Sequence, residues 1–388
     1  MRLALLHLAG LSEEQFQCRI LSKGNHDTFF NQDKGPPRDE CRQINIDRTK
    51  PLADDPDTGH NRWHPDVPPI MQVGEGEVVE LDTRDACDGQ IDSNTTPEDL
   101  AALDGSRIHP LTGPIAVSGA EPGDLLEVSI LEVRPDDQGY TMLHPDYGIL
   151  REHFQDPYLV HWNMQDGFAV SDEISGVRVP AAPFMGTVGV APSSRMLDAY
   201  IEYETKLAAE MGTPAPTEPQ GVFPKGIENG LRTIPPRDNG GNIDVAQLTA
   251  GSVLRLPVFV EGALFSTGDA HFAQGDNECC TAIEMNATLK CHFKVLKGVA
   301  ERQAIRDPQI VLPGHANETR RPYFGTTGQS FSRDGQMTSN DLTRASEHAL
   351  LNMIAHISAN YGYSAQQGAV ICSVAANLKV SQAANHPN

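Results

Sequence analysis

The chain of 388 residues carries 52 Asp and Glu residues against 30 Lys and Arg residues, which gives a formal net charge of −22. Because nucleic acids and anionic membrane surfaces are bound through a basic face, this charge argues against both kinds of partner. No apolar run reaches the roughly 20 residues that cross a bilayer. With 39% hydrophobic residues, the chain is typical of a globular protein of one large domain or two fused domains.

The seven cysteines are odd in number and form no CxxC pair, so the sequence indicates neither a disulfide framework nor a zinc knuckle. Reduced thiols favour a cytoplasmic protein. The opening residues 1–6 carry a charge and then an apolar patch, but no small-residue cleavage site follows. They are therefore predicted to begin a buried strand or helix rather than to form a signal peptide.

Residues 1–59 are predicted to be an irregular N-terminal extension, because turn formers and charged residues dominate from Asn25 to Gly59. Further along, a glycine-bearing turn is followed three times by a β-prone run with partial period-2 alternation, at residues 73–81, 120–130 and 248–258. This pattern favours a mainly β architecture, in particular a sandwich, for the region 60–388.

Helical periodicity is confined to a few segments. One helix is predicted from Ser193 to Met211, where Gly212 stops it, and another from Asp341 to Asn360, closed by Gly362. Ser364 is predicted to cap a further helix that runs to about Leu378, so the C-terminal helices occupy about 341–378. The Pro-rich residues 213–224 form either a linker or an exposed crossover.

The densest polar cluster is the segment 268–278, which follows an apolar run at 256–265 that we expect to be a strand. Asp269 and His271 are two residues apart, so in an extended segment their side chains face the same side. A carboxylate and an imidazole are two ligands of a catalytic Zn²⁺ site. Gly268 and Gly275 would let the backbone turn Glu278 toward the same point. The alternative is a solvated acidic loop with a hydrogen-bonded histidine.

A second polar cluster, residues 82–90, also follows a β-prone run. Asp85 and Asp88 could each reach a cation, and Gln90 offers a donor and an acceptor to an amide group. The alternative is a turn in which Asp88 makes an Asx bond and Gly89 supplies a positive φ.

Two further segments, 60–66 and 109–114, combine histidines with turn residues. Trp63 is either the wall of a small substrate pocket or a core residue that anchors its loop. No GxSxG elbow, P-loop or GxGxxG followed by a helix occurs. Cys279 and Cys280, beside Glu278, are either a nucleophile pair or small thiols buried in a strand.

These segments resemble the acetamidase/formamidase family. The resemblance runs from about residue 60 to the end of the chain, and its most specific part is Gly268–Asp276 with the preceding apolar run. It implies hydrolysis of a short aliphatic amide, such as formamide or acetamide, to a carboxylate and ammonia. It also implies a jelly-roll-like β-sandwich with a smaller α+β portion, and homo-oligomers.

The resemblance and the residue chemistry lead to one predicted mechanism. Asp85, Asp269 and His271 are predicted to bind a divalent metal, Zn²⁺ before Ca²⁺, that activates water. Glu278 is predicted to carry the proton from water to nitrogen, which a raised pKa would favour.

The remaining site predictions concern the substrate. His109 and Gln90 are predicted to orient the amide, and Trp63 and His64 to restrict the acyl pocket. Two alternatives stay open: a metal-free amidase with Cys279 or Cys280 as nucleophile, and a Ca²⁺-stabilised β-sandwich binding module without catalysis.

Overall fold

The computed structural model describes residues 4–9, 41–145, 148–211, 227, 229–312, 323–328 and 341–380. The predicted linker at 213–224 lies outside these residues. In chain order the strands are β1 (Ala4–Ala9), β2 (Arg42–Ile44), β3 (Gly59–His60), β4 (Arg62–Trp63), β5 (Met71–Val73), β6 (Val78–Thr83), β7 (Leu111–Val117), β8 (Leu125–Pro135), β9 (Gln138–Leu143), β10 (Tyr158–Gln165), β11 (Phe168–Val170), β12 (Arg178–Pro180), β13 (Phe184–Gly189), β14 (Leu231–Arg232), β15 (Gly240–Asn242), β16 (Val253–Pro257), β17 (Phe265–His271), β18 (Glu284–Met285), β19 (Ala287–Leu296), β20 (Gln309–Val311), β21 (Tyr323–Gly328) and β22 (Ala376–Val380). The helices are α1 (Ser194–Met211), α2 (Val299–Gln303), α3 (Leu342–Tyr361) and α4 (Ala365–Ala375).

Two large sheets form the body of the protein, so the prediction of a mainly β fold is confirmed. One is six-stranded in the order β2-β6-β19-β8-β16-β20. The other has eleven strands, with the path β12-β11-β10-β9-β18-β17-β13-β15 and with β3, β5 and β7 beside it. Phe265 on β17 and Phe293 on β19 meet edge to face between the sheets, with ring centroids 5.1 Å apart, and both are fully buried. Burying such a side chain stabilises the fold by about 1.5–3 kcal/mol.

Strand β17 is the structural centre of the larger sheet. It pairs with β13 along its length, with β7 over its first residues, and with β18 at its end. All seven of its residues are buried. Any polar side chain on β17 is therefore held by neighbouring strands rather than by a mobile loop.

A smaller α+β portion is built from both ends of the chain. Strand β1 lies between β21 and β22, and α3 packs against β1 and β21. Helix α3 begins after its N-cap Asp341, whose side chain accepts from the Arg344 amide, and ends at Gly362 with φ 78°. Both termini of α3 agree with the sequence prediction.

Three sequence-based boundaries differ from the structure. Helix α4 starts after Ser364 as predicted, but it ends at Ala375 because residues 376–380 pair with β1 as strand β22. The apolar run at 256–265 is not one strand: β16 ends at Pro257, and Ala263 and Leu264 both take a positive φ in the turn before β17. Strand β1 agrees with the prediction that the opening residues begin a strand or helix, whereas β2 falls within the segment predicted to be irregular. Among the described residues, no helix combines the length and the apolar character needed to cross a bilayer.

Candidate functional site

Asp269 and His271 lie inside β17, not in a loop beyond a strand as the sequence suggested. They are 2% and 1% exposed, and Asp269 Oδ1 lies 3.4 Å from His271 Nε2. The prediction that both face the same side is therefore correct. Asp269 adopts φ 57°, a left-handed conformation that is costly for a residue with a side chain and is concentrated at functional sites.

Glu284 completes a buried cluster with these two residues. It lies opposite His271 in the antiparallel β17–β18 pair, and its Oε2 is 3.1 Å from His271 Nε2. One ligand atom from each of Asp269, His271 and Glu284 lies within 4.8 Å of the others, so the three could hold a metal ion. Two carboxylates and one imidazole are a common donor set for divalent metals.

Gln274 determines which nitrogen of His271 faces this cluster. Its Nε2 donates to the Asp244 carbonyl at 2.9 Å, which leaves Oε1 to accept from His271 Nδ1, also at 2.9 Å. In neutral imidazole the proton is then on Nδ1, and the Nε2 lone pair points toward Asp269 and Glu284. Metal-binding histidines are usually oriented by such a bond to the other ring nitrogen.

Two atoms of the cluster lack the partners that buried polar groups require. His271 Nε2 and Glu284 Oε2 are buried, and neither has a hydrogen-bond partner of acceptable geometry among the described residues. Ligands about 2.0–2.1 Å from a tetrahedral ion lie about 3.4 Å apart, and the separations here are 3.4 and 3.1 Å. The donor set therefore fits a divalent ion.

The charges in the cluster are strongly coupled. Burial raises the pKa of Glu284 to about 7, a shift that the charge of His271 opposes. Burial also opposes ionisation of Asp269, but the charges of His109 and His271 outweigh it and lower the pKa of Asp269 below its usual value. For His271, the two carboxylates outweigh burial and raise its pKa. A cation at this point, either a proton or a metal ion, is strongly stabilised.

A second group of acids shares His271. Asp244, His271 and Glu278 also place ligand atoms within 4.8 Å of one another. Asp244 and Glu278 take φ values of 45° and 36°, so both are held in the left-handed region. Burial raises the pKa of Asp244 to about 7, and burial followed by the charge of Asp244 raises the pKa of Glu278. Burial thus favours the protonated form of both carboxyl groups.

Gly186 on β13 allows the close approach of these groups. A Cβ at this position would lie 2.6 Å from His271 Cε1 and 2.7 Å from Asp244 Oδ1. The ring of Phe184 covers another side of His271, edge to face at 5.0 Å. The space for the imidazole is thus defined by β13.

Asp85, predicted as a ligand, belongs to neither group of ligand atoms. Its Oδ1 accepts from the Tyr140 hydroxyl at 2.8 Å and the Cys87 amide at 2.9 Å, and its Oδ2 accepts from the Gly89 amide at 2.8 Å. Glu284 occupies the position beside Asp269 and His271 that we expected for Asp85. Asp85 instead fixes the loop after β6 against Tyr140, which lies opposite Glu284 in the β9–β18 pair.

His109 lies beside the cluster. Its Nε2 is 3.9 Å from Asp269 Oδ2, and burial lowers the pKa of its ring. Its backbone amide donates to Thr233 Oγ1 at 2.6 Å. The Nδ1 atom is buried and has no hydrogen-bond partner within the described part of the chain.

The other residues predicted to contact substrate, Trp63, His64 and Gln90, have structural partners of their own. Trp63 is 1% exposed and packs with Leu111, Leu197 and Leu231, so it is a core residue. His64 Nδ1 accepts from the Asp66 amide. The Gln90 side chain bonds to the Cys87 and Asp104 backbone and so joins two loops.

Cys279 and Cys280 are buried against α4. Cys279 Sγ lies 3.5 Å from the Ala369 carbonyl, and the Cys280 amide donates to Ser373 Oγ. Burial and the neighbouring thiol raise the pKa of Cys279, which keeps it protonated. These contacts agree with the interpretation of both thiols as packing groups.

An open cleft of about 840 Å³ reaches the site, and its lining includes Asp85, Tyr140 and Glu284. Neither Cys279 nor Cys280 lines it. Glu284, Asp244 and Gln274 were missed by the sequence analysis. One signal for Glu284 was available, because it is a carboxylate within an otherwise apolar run that continues to Met285.

The chain is similar in sequence to known proteins. The family model described as the Acetamidase/Formamidase family matches residues 45–388. The chain is 33% identical over 358 residues to an acetamidase of Mycolicibacterium smegmatis, covering 84% of this chain and 88% of the relative. It is 34% identical over 339 residues to a formamidase of Methylophilus methylotrophus, covering 81% and 83%.

A solved structure described as a gamma lactamase from Delftia acidovorans superposes with a TM-score of 0.84 at 32% identity, covering 90% of each chain. The chain belongs to the acetamidase/formamidase family. The resemblance drawn from its motifs is thereby confirmed, and the family match begins at residue 45, inside the segment 1–59.

Proposed function

We propose that this protein is an amidohydrolase that converts short aliphatic amides, such as formamide and acetamide, to the carboxylate and ammonia. The names of the relatives support the reaction. We further propose that a divalent metal ion, Zn²⁺ before Ca²⁺, is held by Asp269, His271 and Glu284. The observation that carries this assignment is that His271 Nε2 and Glu284 Oε2 are buried, lie 3.1 Å apart and have no hydrogen-bond partner among the described residues.

The donor set favours zinc over calcium. Zn²⁺ takes imidazole and carboxylate ligands and keeps an open position in catalytic sites, whereas Ca²⁺ prefers about 6–8 oxygen ligands. When bound, such an ion lowers the pKa of a coordinated water to about 7 and polarises a carbonyl group. In this proposal Glu284 takes the place that the sequence analysis gave to Asp85.

The second acid group supplies the proton transfer. In hydrolysis the C–N bond breaks, a C–O bond forms, and a proton moves from water to the leaving nitrogen. Because burial raises the pKa values of Asp244 and Glu278, these carboxyl groups hold a proton more readily than ordinary acids, and the pair can accept and return that proton. His109, beside Asp269, can hydrogen-bond the amide and keep it oriented.

Two alternatives have less support. A cysteine nucleophile would need access to the cleft, yet neither Cys279 nor Cys280 lines it, and the Cys279 thiol contacts α4. A calcium-binding module needs no imidazole in its ligand set. We keep the expectation of a cytoplasmic homo-oligomer as part of the proposal; free thiols among the described cysteines agree with a reducing compartment.

The test is ammonia release from formamide, acetamide and propionamide, measured before and after a chelator and after metal is returned. We expect the chelator to abolish turnover and Zn²⁺ to restore it. His271→Ala should be inactive, and His356→Ala, a histidine on α3 outside the site, should match the wild type. Inactivation by iodoacetamide together with resistance to the chelator would favour the cysteine mechanism. A protein with none of these amidase activities would favour the binding module.

A further inference from the structure

The cleft beside Glu284 is much larger than the short amides named above. Its volume of about 840 Å³ is in the range of about 300–1,000 Å³ that pockets for larger organic ligands occupy. An acetamide molecule placed at the buried cluster would leave most of the cleft to solvent. The cleft therefore has room for an extension of the acyl group.

The charge of the cleft is strongly one-sided. Eight of its lining residues are acidic and three are basic. Each of the three bases has an acidic partner: Arg107 pairs with Asp88 at 3.0 Å, and the partners of Arg48 and Lys50 include acids outside the lining, Asp82 and Asp47. Arg107 and Arg48 pair with Asp88 and Asp136 of the lining, and the other six of the eight lining acids keep the cleft negative.

The uncompensated acids lie on its exposed wall. Asp137 and Asp172 are exposed and make no ion pair with Lys or Arg within the described part of the chain. Glu173 pairs with His161, and Asp92 is bonded by the amides of its own turn. A cleft lined by one sign of charge concentrates ligands of the opposite sign and repels those of the same sign.

We propose that this cleft binds the acyl side of the substrate and selects amides that carry a positive charge at the far end of a short chain, over anionic amides of the same length. The inference rests on the proposed amidase function and adds the substrate class. The amide group would lie at the Glu284 end, and the ammonium group near Asp137 and Asp172.

Three amides of matched length test the proposal: 4-aminobutanamide is cationic, butanamide is neutral and succinamate is anionic. Ammonia release gives kcat/KM for each with the purified holoenzyme. At low ionic strength we expect the cationic amide to exceed the anionic one by at least about 10-fold, and the ratio to fall as salt is added because the potential is screened.

The double variant Asp137→Asn and Asp172→Asn removes two charges from exposed positions and should lower that ratio several-fold. The matched control is Asp307→Asn, an exposed acid outside the cleft, and it should leave the ratio unchanged. Turnover of acetamide should be the same in the wild type and in Asp307→Asn, since neither the buried cluster nor the cleft is changed in this control.

Equal kcat/KM values for the three amides would overturn the proposal. So would a cationic-to-anionic ratio of kcat/KM that the double variant leaves unchanged. In both cases, turnover of acetamide by the wild type would still support the amidase function. Hydrolysis of acetamide without hydrolysis of any of the longer amides would also overturn it, because the cleft would then not receive the acyl chain. Absence of all amide hydrolysis would instead remove the proposed function itself.

Discussion

Glu284 and His271 are direct neighbours across the antiparallel β17–β18 pair, and their side chains meet with 3.1 Å between Oε2 and Nε2. Since side chains alternate between the faces of a strand, a shift of one residue would send Glu284 to the opposite face. The register of a two-residue strand thus assembles the ligand cluster.

Glu284→Gln keeps the size of this side chain and removes its charge. We expect metal affinity to fall by more than about 10-fold and kcat/KM for acetamide by about 100-fold or more, because a charged ligand is lost. Equilibrium dialysis and ammonia release measure the two quantities. Glu132→Gln, at a half-buried position of β8 outside the ligand cluster, is the control. Wild-type affinity in Glu284→Gln would exclude this residue as a ligand.

Gln274→Leu removes the acceptor for His271 Nδ1 while keeping similar bulk. The ring then loses its fixed orientation, and metal affinity should drop by about 10–100-fold without complete loss. The readout is the dissociation constant for Zn²⁺. Gln165→Leu, at the exposed end of β10, is the matched control. An unchanged constant would mean that Gln274 does not position the imidazole.

Gly186→Ala should disrupt the site from the side of β13. Its Cβ would lie 2.6 Å from His271 Cε1, so the ring or β13 must move. We expect a loss of about 1–3 kcal/mol in the free energy of unfolding, as for other overpacked interiors, and weaker metal binding. Gly105→Ala, where the added Cβ meets nothing within 4 Å, serves for comparison. Equal stability of the two variants would contradict the tight packing around His271.

His60 makes the fold sensitive to acid. Its Nε2 lies 2.9 Å from Ser266 Oγ, and burial lowers its pKa from 6.5 to about 4. Between these values the unfolded chain binds more protons than the folded one, so the free energy of unfolding rises with pH from 4 to 6.5. The full difference is about 3 kcal/mol.

Urea titrations at several pH values measure this dependence. His60→Gln can still form a hydrogen bond with Ser266. In this variant the free energy of unfolding should rise less steeply between pH 4 and 6.5 than in the wild type. The same slope in both proteins would show that His60 is not responsible for the acid sensitivity.

The local part of the site could be predicted from the sequence. The two-residue spacing of Asp269 and His271 places them on one side of any extended segment, and their motif led to the correct family and to the class of amidohydrolase. The ends of α3 at Asp341 and Gly362 could also be predicted, since helix capping depends on residues that are close in the sequence.

The long-range part could not be predicted. Glu284 joins the cluster only through the pairing of β17 with β18, and strand β22 forms because β1 from the other end of the chain lies beside it. Asp85 has the chemistry of a ligand, but the hydroxyl of Tyr140, distant along the chain, takes its carboxylate. No spacing in the sequence reveals these partners.

The central claim is that Asp269, His271 and Glu284 together bind one divalent ion that amide hydrolysis requires. Metal analysis of the purified wild-type protein and of His271→Ala, made alongside ammonia release from acetamide, tests it most directly. We expect about one equivalent of Zn²⁺ in the wild type, and loss of both metal and turnover in the variant. Full turnover in metal-free wild-type protein, or unchanged metal content in His271→Ala, would contradict the claim.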